Sequence, residues 1–284
     1  MNRDELIREI ARGRAEHAAR DARMKGPPSS VRLGPLTSAV LSGARWKNQD
    51  QYPASEVYAD ECEALLEFAR ARGQFDRYFS DLTASKRQRN SALAELRVAY
   101  HLDQSGFEIV EWKPVGLAPK EGEFLIRGVS GVETFIEVKG PSWQSELSDD
   151  EIKAGRTEQD KVLYLEARSV APWRAIQFAV KKAYEKFAPG VPNLLVIADD
   201  LFVSLQYGTE MMASMALYEK HYQGRFTIPD YEKLGGAGIF WMEPSGGRVR
   251  YTMKLFLNPY ALGAPLPEDL VKKFNGQVLA SPVR

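Results

Sequence analysis

The stretch Thr134–Gly140, TFIEVKG, reads as a β-strand. Side chains alternate along a strand, so Glu133, Phe135, Glu137 and Lys139 share one face while Thr134, Ile136 and Val138 share the other. An acid and an amine are thereby neighbours on a segment that otherwise looks buried. Glu123 opens the preceding strand candidate, just before the apolar Phe124-Leu125-Ile126, and hairpin-like pairing brings it near Glu137. A third carboxylate comes from the helix upstream. Ala92 lies one turn before Glu95, and Val98, Ala99 and Leu102 follow it at helical spacing, so Glu95 stands in the middle of an apolar face. An isolated charge there costs several kcal/mol unless it is protonated, paired or bound to a cation.

Two acids, an amine and a third acid nearby suit one chemistry. Mg²⁺ is held by one or two carboxylates and keeps waters and substrate phosphate oxygens, and Glu123 with Glu137 would supply such an open site. The ion would acidify a bound water and offset charge developing on phosphorus. Lys139 would orient or deprotonate that water, or stabilise the oxyanion. Glu95 would complete the outer shell or hold a second ion. Plainer readings stand beside these. Glu137 and Lys139 make an ordinary salt bridge on a solvated sheet face, Glu123 after Gly122 is common turn chemistry, and Glu95 accepts bonds from backbone or arginine.

The elements that must position these groups follow from periodicity and punctuation. A helix rich in Ala and Arg is expected over residues 2–25, ended by Gly26-Pro27-Pro28, and after a Pro/Gly/Ser-rich link a second runs to Gly73, followed by a short one in GQFDRYFSDL. A longer helix from Thr83 to Ser105 closes at Gly106. Three strands come next: Phe107–Trp112, then EFLIRG, then ETFIEVKG. Residues 141–171 form a polar connection of 31 residues, long enough to be a working loop. It interleaves Trp143 with Arg156, Lys161 and Arg168, ahead of Trp173 and Arg174, a mixture that suits tracking a nucleic-acid backbone or an ordinary polar loop. A helix starting at Pro172 carries Trp173, Ile176, Val180, Ala183, Tyr184 and Phe187 on one stripe and should pack on the sheet. NLLVIADD reads as a buried parallel strand, Leu201–Tyr222 as helical, and GIFWMEP with RVRYTMKLFLNP as a late hairpin. Gly235-Gly236-Ala237-Gly238 reads as a link, since no strand-turn-helix setting makes it a phosphate loop. His17, His101 and His221 have no metal spacing, and Met211, Met212 and Met215 read as core.

Composition sets the outer limits. The chain has 284 residues, 44% of them hydrophobic, with 38 basic against 38 acidic groups. That supports a sizeable core, while the balanced total neither points to a polyanionic partner nor excludes a local basic groove. Residues 1–50 hold ten Lys/Arg against six Asp/Glu, an arm that either touches nucleic acid or is a solvated face. Cys62 is the single cysteine, which excludes an internal disulfide and a Cys-rich zinc site and suits a reducing compartment. No signal-peptide core or membrane span is legible, so a cytoplasmic protein with no membrane partner is expected.

With Glu95 in SALAELRVAYHLDQSGFEIV, Glu123 in GEFLI and Glu137-Val138-Lys139 in FIEVKG, the order helix, strand, acid-opened strand, E-x-K strand resembles the PD-(D/E)xK nuclease superfamily over roughly residues 85–200. The resemblance implies an α/β, restriction-endonuclease-like fold: a central mixed β-sheet flanked by helices, here preceded by a helical N-terminal region. Expected boundaries are 1–82 for that region, 83–262 for the nuclease-like domain and 263–284 for a C-terminal tail. It implies a Mg²⁺- or Mn²⁺-dependent endonuclease acting on nucleic acid, DNA before RNA. Glu123 and Glu137 would be metal ligands, the Val138 carbonyl a further ligand and Lys139 the catalytic lysine. Gln177 and Lys181 resemble polar residues that some members place beside the site. The chain departs from the pattern at Glu123, where aspartate is usual, and at Gly122, where proline is usual; Glu121 is the alternative ligand. That departure keeps open a module that binds nucleic acid or protein without cutting, and the N-terminal helices keep open an oligomeric regulatory partner.

Overall fold

The computed structural model describes residues 31–44, 55–116, 121–140, 173–199, 208–262 and 265–279. The helix expected over 2–25, the 141–171 connection and its Trp143, Arg156, Lys161 and Arg168 lie outside them. The chain divides into two compact units, Met1–Ser85 with Pro244–Val249, and Lys86–Glu243 with Arg250–Arg284.

The first unit is helical: α1 (Pro35–Gly43), α2 (Glu56–Ala71) and α3 (Phe75–Ala84). α1 starts within what the sequence shows as a link. It has no side-chain cap of its own, and its first N–H groups are satisfied from a distance, Leu36 and Thr37 donating to the Glu63 carboxylate of α2 at 3.1 and 2.8 Å. These bonds hold the Glu63 carboxyl below its ordinary range although burial pushes it up. Leu65, Leu66, Ala69, Tyr78 and Leu82 form the buried side of α2 and α3.

The second unit is α/β. It runs α4 (Lys86–Gln104), β1 (Glu108–Trp112), β2 (Phe124–Arg127), β3 (Glu133–Lys139), α5 (Trp173–Tyr184), β4 (Asn193–Asp199), α6 (Thr209–Ala213), β5 (Gly236–Ser245), β6 (Arg248–Leu257) and α7 (Glu268–Lys273). The six strands lie in chain order in one mixed sheet. β1, β2 and β3 pair antiparallel, and β3, β4 and β5 pair parallel. Gly246 and Gly247 both take positive φ, +57° and +76°, which lets two residues close the turn from β5 to β6.

Each face of the sheet is covered by a helix, as the expected stripes require. Ile176, Val180, Ala183 and Phe187, from α5 and the turn after it, are fully buried against Phe135, Leu195 and Ile197. α4 packs on β1, β3 and β4 through Leu96, Val98, Ala99 and Leu102, all buried. Since Ile136, Val138, Leu194 and Val196 alternate with the first set, they form the opposite inner face.

Three expectations change. Gly236–Gly238 is no link but the start of β5, with Gly235 just before it, and its glycines answer to close neighbours: a Cβ on Gly236 would meet the Phe256 carbonyl oxygen at 2.8 Å and one on Gly238 the Leu255 side chain at 3.1 Å. Within Leu201–Tyr222, the part described is broken into α6, a π turn over Ser214–Tyr218 and a 3₁₀ turn over Lys220–Tyr222. Met211 is half-exposed while Met212 is core. After β6 the chain folds back instead of trailing off: Leu255 N–H donates to the Phe274 carbonyl at 3.2 Å, and Leu270 and Phe274 are buried. His101 packs among Phe240, Tyr251 and Phe274. Burial and the nearby Lys273 charge lower its pKa to about 4, so it is a neutral, half-buried ring.

Candidate active site

Register builds the site. Phe124 pairs with Ile136 and Leu125 with Phe135, which puts Glu123 opposite Glu137, and the Glu123 N–H donates to the Ile136 carbonyl at 3.0 Å. Both acids are buried, Glu123 at 5% and Glu137 at 0% exposure. Lys139, two residues along the same face, pairs with the Glu137 carboxylate. Val138 lies between them in β3, its backbone paired with Val196 and its side chain buried. Glu95 reaches in from α4 and comes within hydrogen-bonding reach of Glu123. The acids and the amine predicted to meet are therefore in one place.

Two lysines the sequence reading missed complete the cluster. Lys113 follows β1, and the pairing of Trp112 with Phe124 sets it opposite Glu123, to which it is ion-paired; its Nζ is also 3.5 Å from Glu95 Oε2. Lys186 lies in the turn after α5, with its Nζ 2.8 Å from Glu137 Oε1 and 4.0 Å from Glu123 Oε1. Acids and amines alternate through space: Glu95, Lys113, Glu123, Lys186, Glu137, Lys139. At formal charge three acids and three lysines balance, and this pairing of opposite signs is what makes so many ionisable groups tolerable at low exposure.

The electrostatics follow from that order. Burial pushes the Glu123 carboxyl up, but Lys113, aided by Lys186, more than offsets it and holds the group below its usual range. Burial works against the Lys186 charge too, and Glu137 together with Glu123 raises its pKa above the ordinary value. Both therefore carry charge at neutral pH. One atom stands out: Glu137 Oε2 is fully buried and has no hydrogen-bond partner among the described residues. A buried carboxylate oxygen without a donor is costly, and it marks where a cation or donor belongs.

Other expected residues are placed differently. Gln177 is buried on α5, but its Nε2 donates to the Tyr222 carbonyl at 2.7 Å, tying the helix to the 3₁₀ turn and away from the carboxylates. Lys181 and Glu121 are exposed. Gly122 has a local cause. Its N–H donates to the Pro114 carbonyl at 2.9 Å, a bond proline would forgo, and the Phe135 ring occupies the space a Cβ would need. Gly122→Ala is expected to cost about 1–3 kcal/mol, read as a lower urea midpoint with unchanged m.

Glu123 and Glu137, brought to one ammonium by Lys186, and the bondless Oε2 fit a two-carboxylate Mg²⁺ or Mn²⁺ site with the rest of the shell left to water and substrate. Among the described residues no group of three or more His, Cys, Asp or Glu is placed to hold a metal ion. No helix among those residues is long and apolar enough to cross a membrane.

No family model and no curated protein matches the chain. Among solved structures it is similar to SfsA from Pyrococcus furiosus in complex with Ca²⁺, at 17% identity and a TM-score of 0.24, over 59% of this chain and 62% of that one. The chain thus spans about 62% of the length of that protein.

Proposed function

We propose that the protein is a Mg²⁺- or Mn²⁺-dependent nuclease of the PD-(D/E)xK type that hydrolyses phosphodiester bonds in DNA. The observation that carries this reading is Glu137 itself, wholly buried with one bondless oxygen, between Glu123 across the strand pair and Lys139 along it. Glu123 and Glu137 would hold the ion, with the Val138 carbonyl beside them and Glu95 orienting from the outer shell. When bound, the ion would acidify a water and take up charge developing on the phosphate. Lys139 is anchored by Glu137 while its side chain stays 25% exposed, so its ammonium can meet a substrate oxygen without leaving its partner. Glu123 in place of aspartate keeps a carboxylate at the position; its longer reach is taken up by Lys113 and Lys186. The preference for DNA over RNA rests on the superfamily resemblance.

Incubation with single- and double-stranded DNA and RNA, with Mg²⁺, Mn²⁺ or EDTA, tests the proposal. DNA cleavage that requires the ion is the expected result; cleavage that survives EDTA, or none on any substrate, overturns it. The charge balance within the cluster favours one second reading, a module that keeps the fold and binds nucleic acid without cutting, with the lysines standing where a cation would. In the same experiment it gives retarded but intact DNA.

A further inference from the structure

Lys186 holds a position that neither of the other two lysines shares. Lys139 pairs with Glu137, and Lys113 with Glu123 and Glu95. Lys186 Nζ alone among these three lies within 4.0 Å of both Glu137 and Glu123. One positive charge thus already sits between the two carboxylates offered as metal ligands, and an ammonium and a divalent cation repel strongly at that range. The local backbone separates the anchor from the charge. Phe187 is fully buried, the Lys186 N–H donates to the Ala183 carbonyl at 2.9 Å, and yet 24% of the Lys186 side chain reaches solvent. The main chain is fixed while the long side chain has a path outward.

We propose that Lys186 is the resident cation of the Glu123–Glu137 pair, and that it must swing away before a divalent ion binds there, so that this lysine sets the protein's affinity for metal. The inference rests on the metal-site reading above. It makes Lys186 a positioning residue: without an ion its ammonium keeps two buried carboxylates folded side by side, and with one it is released toward the solvent side of the site.

Calorimetric titration of the full chain with Mn²⁺ tests this, using Lys186→Met, Lys186→Gln and Lys186→Arg beside the unaltered protein. Removing the resident charge is expected to tighten Mn²⁺ binding at least tenfold in both the Met and Gln variants, whereas the Arg variant, which keeps a charge, is not tightened. Thermal melts should agree, with Lys186→Met less stable than the unaltered protein without ion and gaining more from added Mn²⁺. The Gln variant carries the comparison should the Met variant not fold. A residue with a merely structural role would weaken binding or leave it unchanged when removed; that outcome, with the unaltered protein binding Mn²⁺, overturns the role of Lys186 and leaves the metal site standing. If neither the unaltered protein nor the variants take up Mn²⁺, the metal-site reading fails and this inference with it.

Discussion

Glu137→Ala is expected to lower folding stability by about 3 kcal/mol, the low end of the range for removing one partner of a buried ion pair. The carboxylate has no exposure, and its loss leaves Lys139 and Lys186 without their shared partner. Both lysines keep about a quarter of their side chains in solvent, so each can turn outward, which is why the high end is not expected. Against the loss stands the relief of Oε2, a buried oxygen with no donor among the described residues, whose removal returns some free energy. Reversible urea unfolding reads the difference. A variant as stable as the parent would mean that the cluster contributes no net stability and that Glu137 sits at an energetic loss.

Lys139→Ala is expected to separate chemistry from folding. Lys139 ends β3 and is partly exposed, and the variant keeps Lys186 on Glu137, so the unfolding midpoint should move little. Loss of a group that orients or deprotonates the attacking water costs about 100- to 10,000-fold in rate. Single-turnover cleavage at saturating Mg²⁺ should show that loss in kcat, with substrate binding changed much less. Cleavage unchanged in the variant would take the catalytic role from Lys139 and direct attention to Lys113 or Lys186.

Much of the site is legible because strands are simple. Period-two alternation puts Glu137 and Lys139 on one face, and a hairpin between two short apolar runs brings Glu123 opposite; register then does the rest. Glu95 is legible because an acid flanked by Ala92, Val98, Ala99 and Leu102 is out of place on an apolar stripe. Lys113 escapes the same method for two reasons. The β1 register shifts between Ile109 and Glu111, so simple alternation fails across that point, and Lys113 itself takes a φ of +56°, which a lysine's identity does not signal. Lys186 lies off the stripe that runs to Phe187, in the turn after α5 ends at Tyr184, where helical periodicity no longer applies. The stripe of α5 was readable, but which polar residue near it would face the carboxylates was not; the structure gives Gln177 to the Tyr222 carbonyl and Lys186 to the site. Gly122 is informative in retrospect, since the Phe135 ring that occupies its side-chain space belongs to the face that carries Glu137.

The α/β class and the helical N-terminal region were readable from element order, and the sheet is mixed as expected. What misled was local composition. Four small residues at 235–238 look like a link, yet the last three start β5, with β6 and Leu266 crowding against them. Pro and Gly near residue 35 look like a break, yet Pro35 suits a first helical turn and Glu63 supplies the missing cap. Both depend on partners distant in sequence, which local propensity does not contain.

The measurement that tests the central claim most directly is Mn²⁺ uptake followed by the EPR signal of the free ion, for the unaltered protein and for Glu137→Gln, which keeps the shape of the side chain and removes its charge. The account predicts that the unaltered protein withdraws Mn²⁺ from solution and that the Gln variant does not. Equal uptake by both, or none by either, would contradict it.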